Sequence, residues 1–287
     1  MKAIYKKEVK SYLTSMIGYV FIFFILLLEG IYFTAYNLQN AYPLFGTTLS
    51  AVTFIFLILV PVLTMKTIAE ERKQKTDQLL LTAPVSVSEI VLGKFLAVAT
   101  VYAIPVLIIC LYPMIMGKYG TVSYAMAYTA VLGFALLGFV QIAVGVFWSS
   151  VTENPVIAAV VTFIVLFVCY MITGIGSLIP DSSMASLACY MLLVLLAAVW
   201  IYHMIRNLWI AAVIGIAGEA ALAITYVVKS TLFEGSIQKF LSVFDITSHF
   251  DNFTNGILDL QGVVYFLSVI IIFLVLTVQT ITKRRWN

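Results

Sequence analysis

The sequence predicts an all-α, polytopic transmembrane helix bundle, and three observations carry that expectation. Of 287 residues, 63% are hydrophobic and only 10% are charged, against roughly one half and one quarter in average soluble domains. A water-soluble fold of this length needs more polar surface than this composition supplies. Eight apolar runs approach the length of about 20 residues that a helix needs to cross the hydrocarbon core: 16–36, 48–66, 91–115, 123–147, 156–178, 185–202, 208–228 and 262–281. The basic residues are also distributed unevenly between the connections. A single transmembrane domain over 1–287 is therefore expected, with no soluble domain before or after it.

The first run is expected to stay in the protein as a span. It is too long for the apolar region of a signal peptide, and bulky Ile31, Tyr32, Phe33 and Tyr36 follow it where small residues mark cleavage. Ahead of it, Tyr5, Val9, Tyr12, Leu13 and Met16 recur at helical spacing, with Lys6, Lys7 and Lys10 on the other face. That pattern predicts an N-terminal helix lying in the membrane interface.

Orientation follows from the basic residues. With a cytoplasmic N-terminus, eight crossings return the C-terminus to the cytoplasm. Thirteen of the sixteen Lys and Arg then face inside, and only Lys118, Lys229 and Lys239 face outside. The four tryptophans, Trp148, Trp200, Trp209 and Trp286, all fall at cytoplasmic ends in this arrangement, where amphipathic rings favour the headgroup layer. Runs 185–202 and 208–228 are separated only by His203-Met204-Ile205-Arg206-Asn207, which predicts a tight hairpin with Arg206 holding its turn inside.

Two polar segments stand out. The cytoplasmic one, Lys66 to Glu89, is rich in good helix formers at its centre, which predicts a helix over 70–81 ended by Pro84. Ser86-Val87-Ser88-Glu89 then reads as a capping box opening the third span. The external one, Lys229 to Leu260, interleaves polar residues with Leu232, Phe233, Ile237, Phe240, Leu241, Phe244, Phe250 and Phe253. It is expected to form short amphipathic helices on the outer mouth of the bundle.

Enzymatic motifs are missing. Gly93-Lys94 is no phosphate loop, because Ser88 replaces the required earlier glycine and Phe95 stands where a magnesium-binding hydroxyl belongs. The only histidines, His203 and His249, fall on opposite sides of the membrane, so no metal site is expected between them. Cys110, Cys169 and Cys189 lie in apolar runs without metal spacing and read as small buried hydrophobes. No segment is basic and long enough for nucleic acid. Glu29 and Glu219 are acids inside spans, where ionisable groups are costly, and both are candidates for a translocation pathway. Glu29 equally fits a carboxylate that snorkels to the outer interface or caps a helix, and Glu219 one hydrogen-bonded to a neighbouring helix. Gly133, Gly138, Gly145, Gly215 and Gly218 suit close helix packing, and Pro61, Pro105 and Pro113 suit kinks.

The cytoplasmic segment carries a resemblance. Ala69 through Ser86, followed by Glu89-Ile90-Val91-Leu92-Gly93-Lys94-Phe95, resembles the ABC type-2 transporter permease pattern. More narrowly, Tyr12 to Gly18, Ser149 to Asn154, and Ser248 to Leu260 with the Lys283-Arg284-Arg285-Trp286 end resemble its gliding-motility GldF-like branch. Shorter members of that branch have six spans, and residues 185–228 add a hairpin to that plan. The resemblance implies the permease subunit of an ATP-driven exporter in a cell membrane. Such a permease is not itself an enzyme and has no cofactor of its own, since ATP and Mg²⁺ sit on partner ABC ATPase subunits in the cytoplasm. A second permease copy or paralogue, an accessory membrane protein and the lipid bilayer are the further partners implied. On this reading Glu70, Glu71, Arg72, Lys73, Asp77, Leu79, Leu80 and Pro84 couple the ATPase to the permease, and Thr152, Glu153 and Asn154 give a second cytoplasmic contact. A non-transport membrane scaffold anchoring a multi-protein complex is the alternative function.

Overall fold

Apolar runs of this length, in a solvent that offers no hydrogen bonds, leave helix as the way to satisfy every backbone group. The computed structural model describes residues 1–77 and 85–285. Helix makes up 82% of the described residues, and no strand occurs among them. The elements are α1 (Lys2–Thr14), α2 (Met16–Tyr32) continuing as a π-helical segment (Phe33–Gln39), α3 (Phe45–Thr64), α4 (Ala69–Lys73), α5 (Val87–Ile109), α6 (Tyr112–Met116), α7 (Tyr124–Val151), α8 (Pro155–Ser177), α9 (Ser183–Ile205), α10 (Leu208–Val228), a 3₁₀ turn (Ser230–Phe233), α11 (Ser236–Ser242), α12 (Ser248–Thr254) and α13 (Leu260–Arg285). Among the described residues seven helical stretches are long and apolar enough to cross a membrane. An eighth crossing is reached if Ala212–Val228 and Ser230–Ser242, bent by 116°, count as one span. The expected eight spans correspond to α2, α3, α5, α7, α8, α9, α10 and α13. The short α6, opened by Tyr112-Pro113, completes the third span after a break at Cys110-Leu111.

Contacts divide the chain into two compact units, one of Met1–Val168 with Ile246–Asn287 and one of Cys169–Asp245. In the first, α7 is the centre: it packs against α3, α5, α12 and α13. Membrane helices gain little from apolar burial against one another, so close backbone approach and dense packing hold them together. The glycines of α7 supply that approach. A Cβ at Gly138 would overlap the Tyr102 ring, one at Gly145 would overlap the Thr64 side chain, and one at Gly133 would strike Phe253. Phe56, Tyr102, Phe134 and Phe250 pack as an aromatic cluster around this contact, and the Tyr102 hydroxyl donates to the Phe134 carbonyl at 2.7 Å.

At the N-terminus, α1 lies against α5 and is joined to α2 at Ser15, which has extended backbone angles. The elbow is tight enough that a Cβ at Gly18 would overlap the Tyr12 carbonyl. The innermost residues of α1 are Ile4, Glu8 and Tyr12, one per turn. Tyr5, Val9 and Leu13 flank them half-buried, and Met16 is exposed. The N-terminal helix is therefore present, but its inner stripe is shifted from the expected apolar one and contains a carboxylate.

In the second unit, α9 and α10 form the predicted hairpin. Arg206 ends α9 in the left-handed region at φ 56°, and the Asn207 side chain accepts from the Trp209 N–H at 3.0 Å to open α10. Close contact is again made at small residues, Gly215 against Ala198 and Gly218 against Val194. The segment expected to form short amphipathic helices does so. The 3₁₀ turn and α11 pack on this hairpin through Phe233 and Phe240 against Tyr190, whereas α12 packs in the first unit through Phe250 and Phe253. The three cysteines are free and half-buried, so they are less enclosed than their apolar runs predict.

Candidate functional site

The described part of the sequence-predicted coupling set lies at the end of the first unit where α1, α3, α4, α5 and α7 meet. After α3 the chain turns through Met65 to Ile68. The Ser149 hydroxyl accepts from the Ile68 and Ala69 N–H groups at 3.1 and 3.0 Å and donates to the Met65 carbonyl at 3.1 Å. One side chain of α7 thus satisfies the first N–H groups of α4, which lack partners within their own helix. The capping box is present as predicted: Ser86 accepts from the Glu89 N–H at 3.3 Å, and the Glu89 carboxylate accepts from the Ser86 N–H at 3.4 Å.

The helix expected over 70–81 is interrupted at 74–76, and residues 78–81 lie outside the described residues. Helix stops at Lys73, because Lys75 adopts φ 56°. The Lys75 N–H donates to the Arg72 carbonyl and the Thr76 N–H to the Glu71 carbonyl, at 3.0 and 2.9 Å. These two bonds are the closing pair of a Schellman motif, with lysine where glycine is usual. A local turn therefore overrides the helix propensity of the segment. Leu79, Leu80 and Pro84 lie outside the described residues.

Arg72 joins the two predicted cytoplasmic contacts into one surface. Its guanidinium donates to the Ser150 carbonyl at 2.7 Å, to the Thr152 carbonyl at 3.0 Å and to Glu153 at 2.9 Å. The arginine side chain is 6% exposed and the glutamate 76%. Water screens the Glu153 pair, so the two carbonyl bonds from a buried charge hold the contact more firmly. Thr152 and Asn154 form the turn beyond it: Thr152 exchanges hydrogen bonds with the Asn154 backbone, and the Asn154 side chain accepts from the Val156 N–H to open α8. Arg284 of α13 donates to the Val151 carbonyl at 3.1 Å, adding the C-terminal helix to the same end.

A second cluster lies beside it, and sequence reading missed it. The Lys94 ammonium sits 3.0 Å from Glu8, 2.9 Å from Glu71 and 2.8 Å from the Thr67 carbonyl. All three of its donors are matched. Its side chain is 2% exposed, and those of Glu8 and Glu71 are 11% and 16% exposed. Lys94 is thus no solvated flank of the third span. Lys7 reaches Glu71 at 3.4 Å from the solvent side. Tyr12 completes the contact by donating to the Leu63 carbonyl at 3.2 Å and pairing with Thr67 at 3.3 Å. Burial pushes the Tyr12 phenol well above its usual range, which keeps it a donor. A cavity of about 610 Å³ opens beside the cluster, with Glu70, Gln74 and Lys66 among its lining residues. The sequence marks Glu71 as a coupling residue, but neither Glu8, at a helical position beside the apolar stripe of α1, nor its pairing with Lys94.

The remaining candidates are placed elsewhere. Glu29 is 0% exposed in the first unit, and neither carboxylate oxygen has a hydrogen-bond partner, so it does not snorkel to the interface. Glu219 lines an apolar groove between α9 and α10, with Oε1 buried and unpartnered. Each acid lies within a different unit. No group of three or more metal-ligating His, Cys, Asp or Glu side chains occurs among the described residues.

A polytopic helix bundle with a charged surface at one end defines the class as a multi-pass membrane protein. The family model for ABC-2 family transporter proteins matches residues 2–284. The chain belongs to that family, which makes it a multi-pass membrane protein and a transporter membrane domain. No curated protein matches it.

Proposed function

We propose that the chain is the permease subunit of an ATP-driven exporter in a cell membrane, formed as one permease domain of the GldF-like type. Its termini and the α4 end lie in the cytoplasm, where separate ABC ATPase subunits carry ATP and Mg²⁺. A second permease copy or paralogue completes the translocation path, and an accessory membrane protein can join it. Glu29 and Glu219 are the acids proposed to face that path. The observation that carries the reading is Arg72, which fixes α4 and the 149–154 turn as one surface. A charged rim guides encounter while apolar anchors hold the complex, so Glu70, Lys73, Asp77 and Glu153 are proposed as rim and Leu79 and Leu80 as anchor. Glu71 and Arg72 have their charges engaged inside the chain and shape the surface from beneath.

The test is co-purification with an ATPase encoded beside this chain, together with hydrolysis and transport in liposomes. The double variant Glu70→Lys with Lys73→Glu keeps the net charge and is expected to weaken ATPase capture about tenfold. Leu79→Asp with Leu80→Asp is expected to abolish capture while membrane insertion survives. Normal capture and transport by both variants would sink the docking assignment. Cysteine labelling tests the orientation: positions 75 and 239 should react from opposite sides, 75 from the cytoplasm.

A further inference from the structure

We propose that Lys94 is a positioning residue that clamps α4 to the N-terminal helix α1, so that the two move as one body when the ATPase moves α4. The last clause rests on the docking reading above; the clamp itself stands on geometry. The ammonium of α5 uses one donor on Glu8 of α1, one on Glu71 of α4 and one on the Thr67 carbonyl that leads into α4. Three segments separated by up to 86 residues therefore meet on one nearly dehydrated charge.

The stoichiometry gives the clamp its function. One buried ammonium bonds both carboxylates, so displacing either one costs Lys94 a charge-assisted hydrogen bond in a poorly hydrated site. Displacing α4 alone pulls Glu71 from Lys94, and displacing α1 alone pulls Glu8. Moving α1, α4 and the start of α5 together keeps every bond. The Tyr12 bonds to Leu63 and Thr67 tie α1 to the same turn, and the tight elbow at Gly18 links α1 to the first span. Motion imposed on α4 thus reaches α2 through α1 as well as α3 through the chain.

The test uses the full chain in nanodiscs, with Cys110, Cys169 and Cys189 replaced by alanine. Spin labels are placed at Ser11→Cys on α1 and Gln74→Cys after α4, both exposed positions beside the cavity. The distance distribution between them should be narrow. Glu71→Ala leaves Lys94 balanced by Glu8, so the chain should insert and fold while the distribution broadens about twofold. Lys94→Met should broaden it at least as much, and Glu70→Ala, one position away on the solvent side, should leave it unchanged. An unchanged distribution in Glu71→Ala overturns the clamp, and equal broadening in Glu70→Ala reduces it to general loosening of the turn. With the partner ATPase bound, the native distance should not alter on ATP trapping, whereas Glu71→Ala should retain the ATPase but transport about tenfold less per ATP. A native distance that changes with nucleotide refutes movement as one body. Failure of the native chain to capture an ATPase refutes the docking reading instead, and leaves the nanodisc result to decide the clamp.

Discussion

The two compact units use small residues in the same way but to different depth. In the first, α7 has 72% of its membrane window buried, and its glycines face the rings and side chains of α5, α3 and α12. In the second, Gly215 and Gly218 bring α9 and α10 together, while Leu192, Leu195, Leu196, Val199 and Trp200 remain exposed along α9. The glycines alone do not distinguish a central helix from a lipid-facing hairpin. What separates them is the aromatic packing at Gly133 and Gly138, where rings fill the space; the Thr64 side chain at Gly145 is no larger than the Val194 isopropyl group at Gly218.

The sharpest way to break this comparison is to fill a glycine in each unit. Gly138→Leu must displace Tyr102 from the aromatic cluster and is expected to cost at least ~3 kcal/mol, read as a loss of monodisperse protein or a large fall in thermal midpoint in detergent. Gly215→Ala places its Cβ 3.1 Å from the Ala198 Cβ, and the gain in helix propensity offsets the tightness to within ~0.5 kcal/mol. Equal effects at the two positions would show that α7 is no more tightly specified than the hairpin.

Next comes the surface that the first unit has and the second lacks. Arg72→Met strips the Ser150 and Thr152 carbonyls of a buried charged donor and is expected to cost about 2–3 kcal/mol. Glu153→Gln, at an exposed partner, should cost under ~0.5 kcal/mol. Thermal denaturation followed by fluorescence, performed on both variants, separates the carbonyl bonds from the ion pair. A larger loss in Glu153→Gln would reverse their ranking.

Tyr12→Phe isolates the tie between α1 and the end of α3. The variant keeps the ring and removes the hydroxyl, so about 1 kcal/mol should be lost at neutral pH. Proteolysis near Ser15 should rise accordingly, and an unchanged cleavage rate would mean that α1 is held by the Lys94 cluster alone.

The smallest effects belong to the two turns. Lys75 in the first unit and Arg206 in the second both end helices at φ 56°. Lys75→Gly and Arg206→Gly each remove the left-handed penalty against a more flexible unfolded chain, for a gain of about 0.5 kcal/mol. Arg206→Gly also deletes the basic residue from the hairpin turn. A tag after His203 that then becomes accessible from outside would show that this charge, and not the hairpin, fixes the turn in the cytoplasm.

Much of the molecule was legible in the sequence for a common reason: those features are local. Span length needs only a run of apolar residues, the capping box needs only Ser86 and Glu89 three positions apart, and the α9–α10 turn needs only five polar or interfacial residues between two such runs. The break at 74–76 is local as well, since helix propensity gave no warning of a Schellman turn at a lysine. The site was legible only in its parts. Residues 70–81 and 152–154 could each be marked as contacts, but nothing in either segment shows that Arg72 binds the other, at a separation of 81 residues.

Sequence by itself determined that this chain is a membrane helix bundle, where its spans begin and end to within a few residues, and which connections carry the positive charge. Those properties depend on transfer of each segment between water and lipid, which composition along the chain decides. Tertiary structure alone decided that Glu8 turns inward, that Lys94 is buried between two acids, and that α4 and the 149–154 turn form one surface. A charge reads as solvated in a sequence until distant segments close around it. Here the burial of Lys94 is tolerable only because α1 and α4 arrive together to supply its partners.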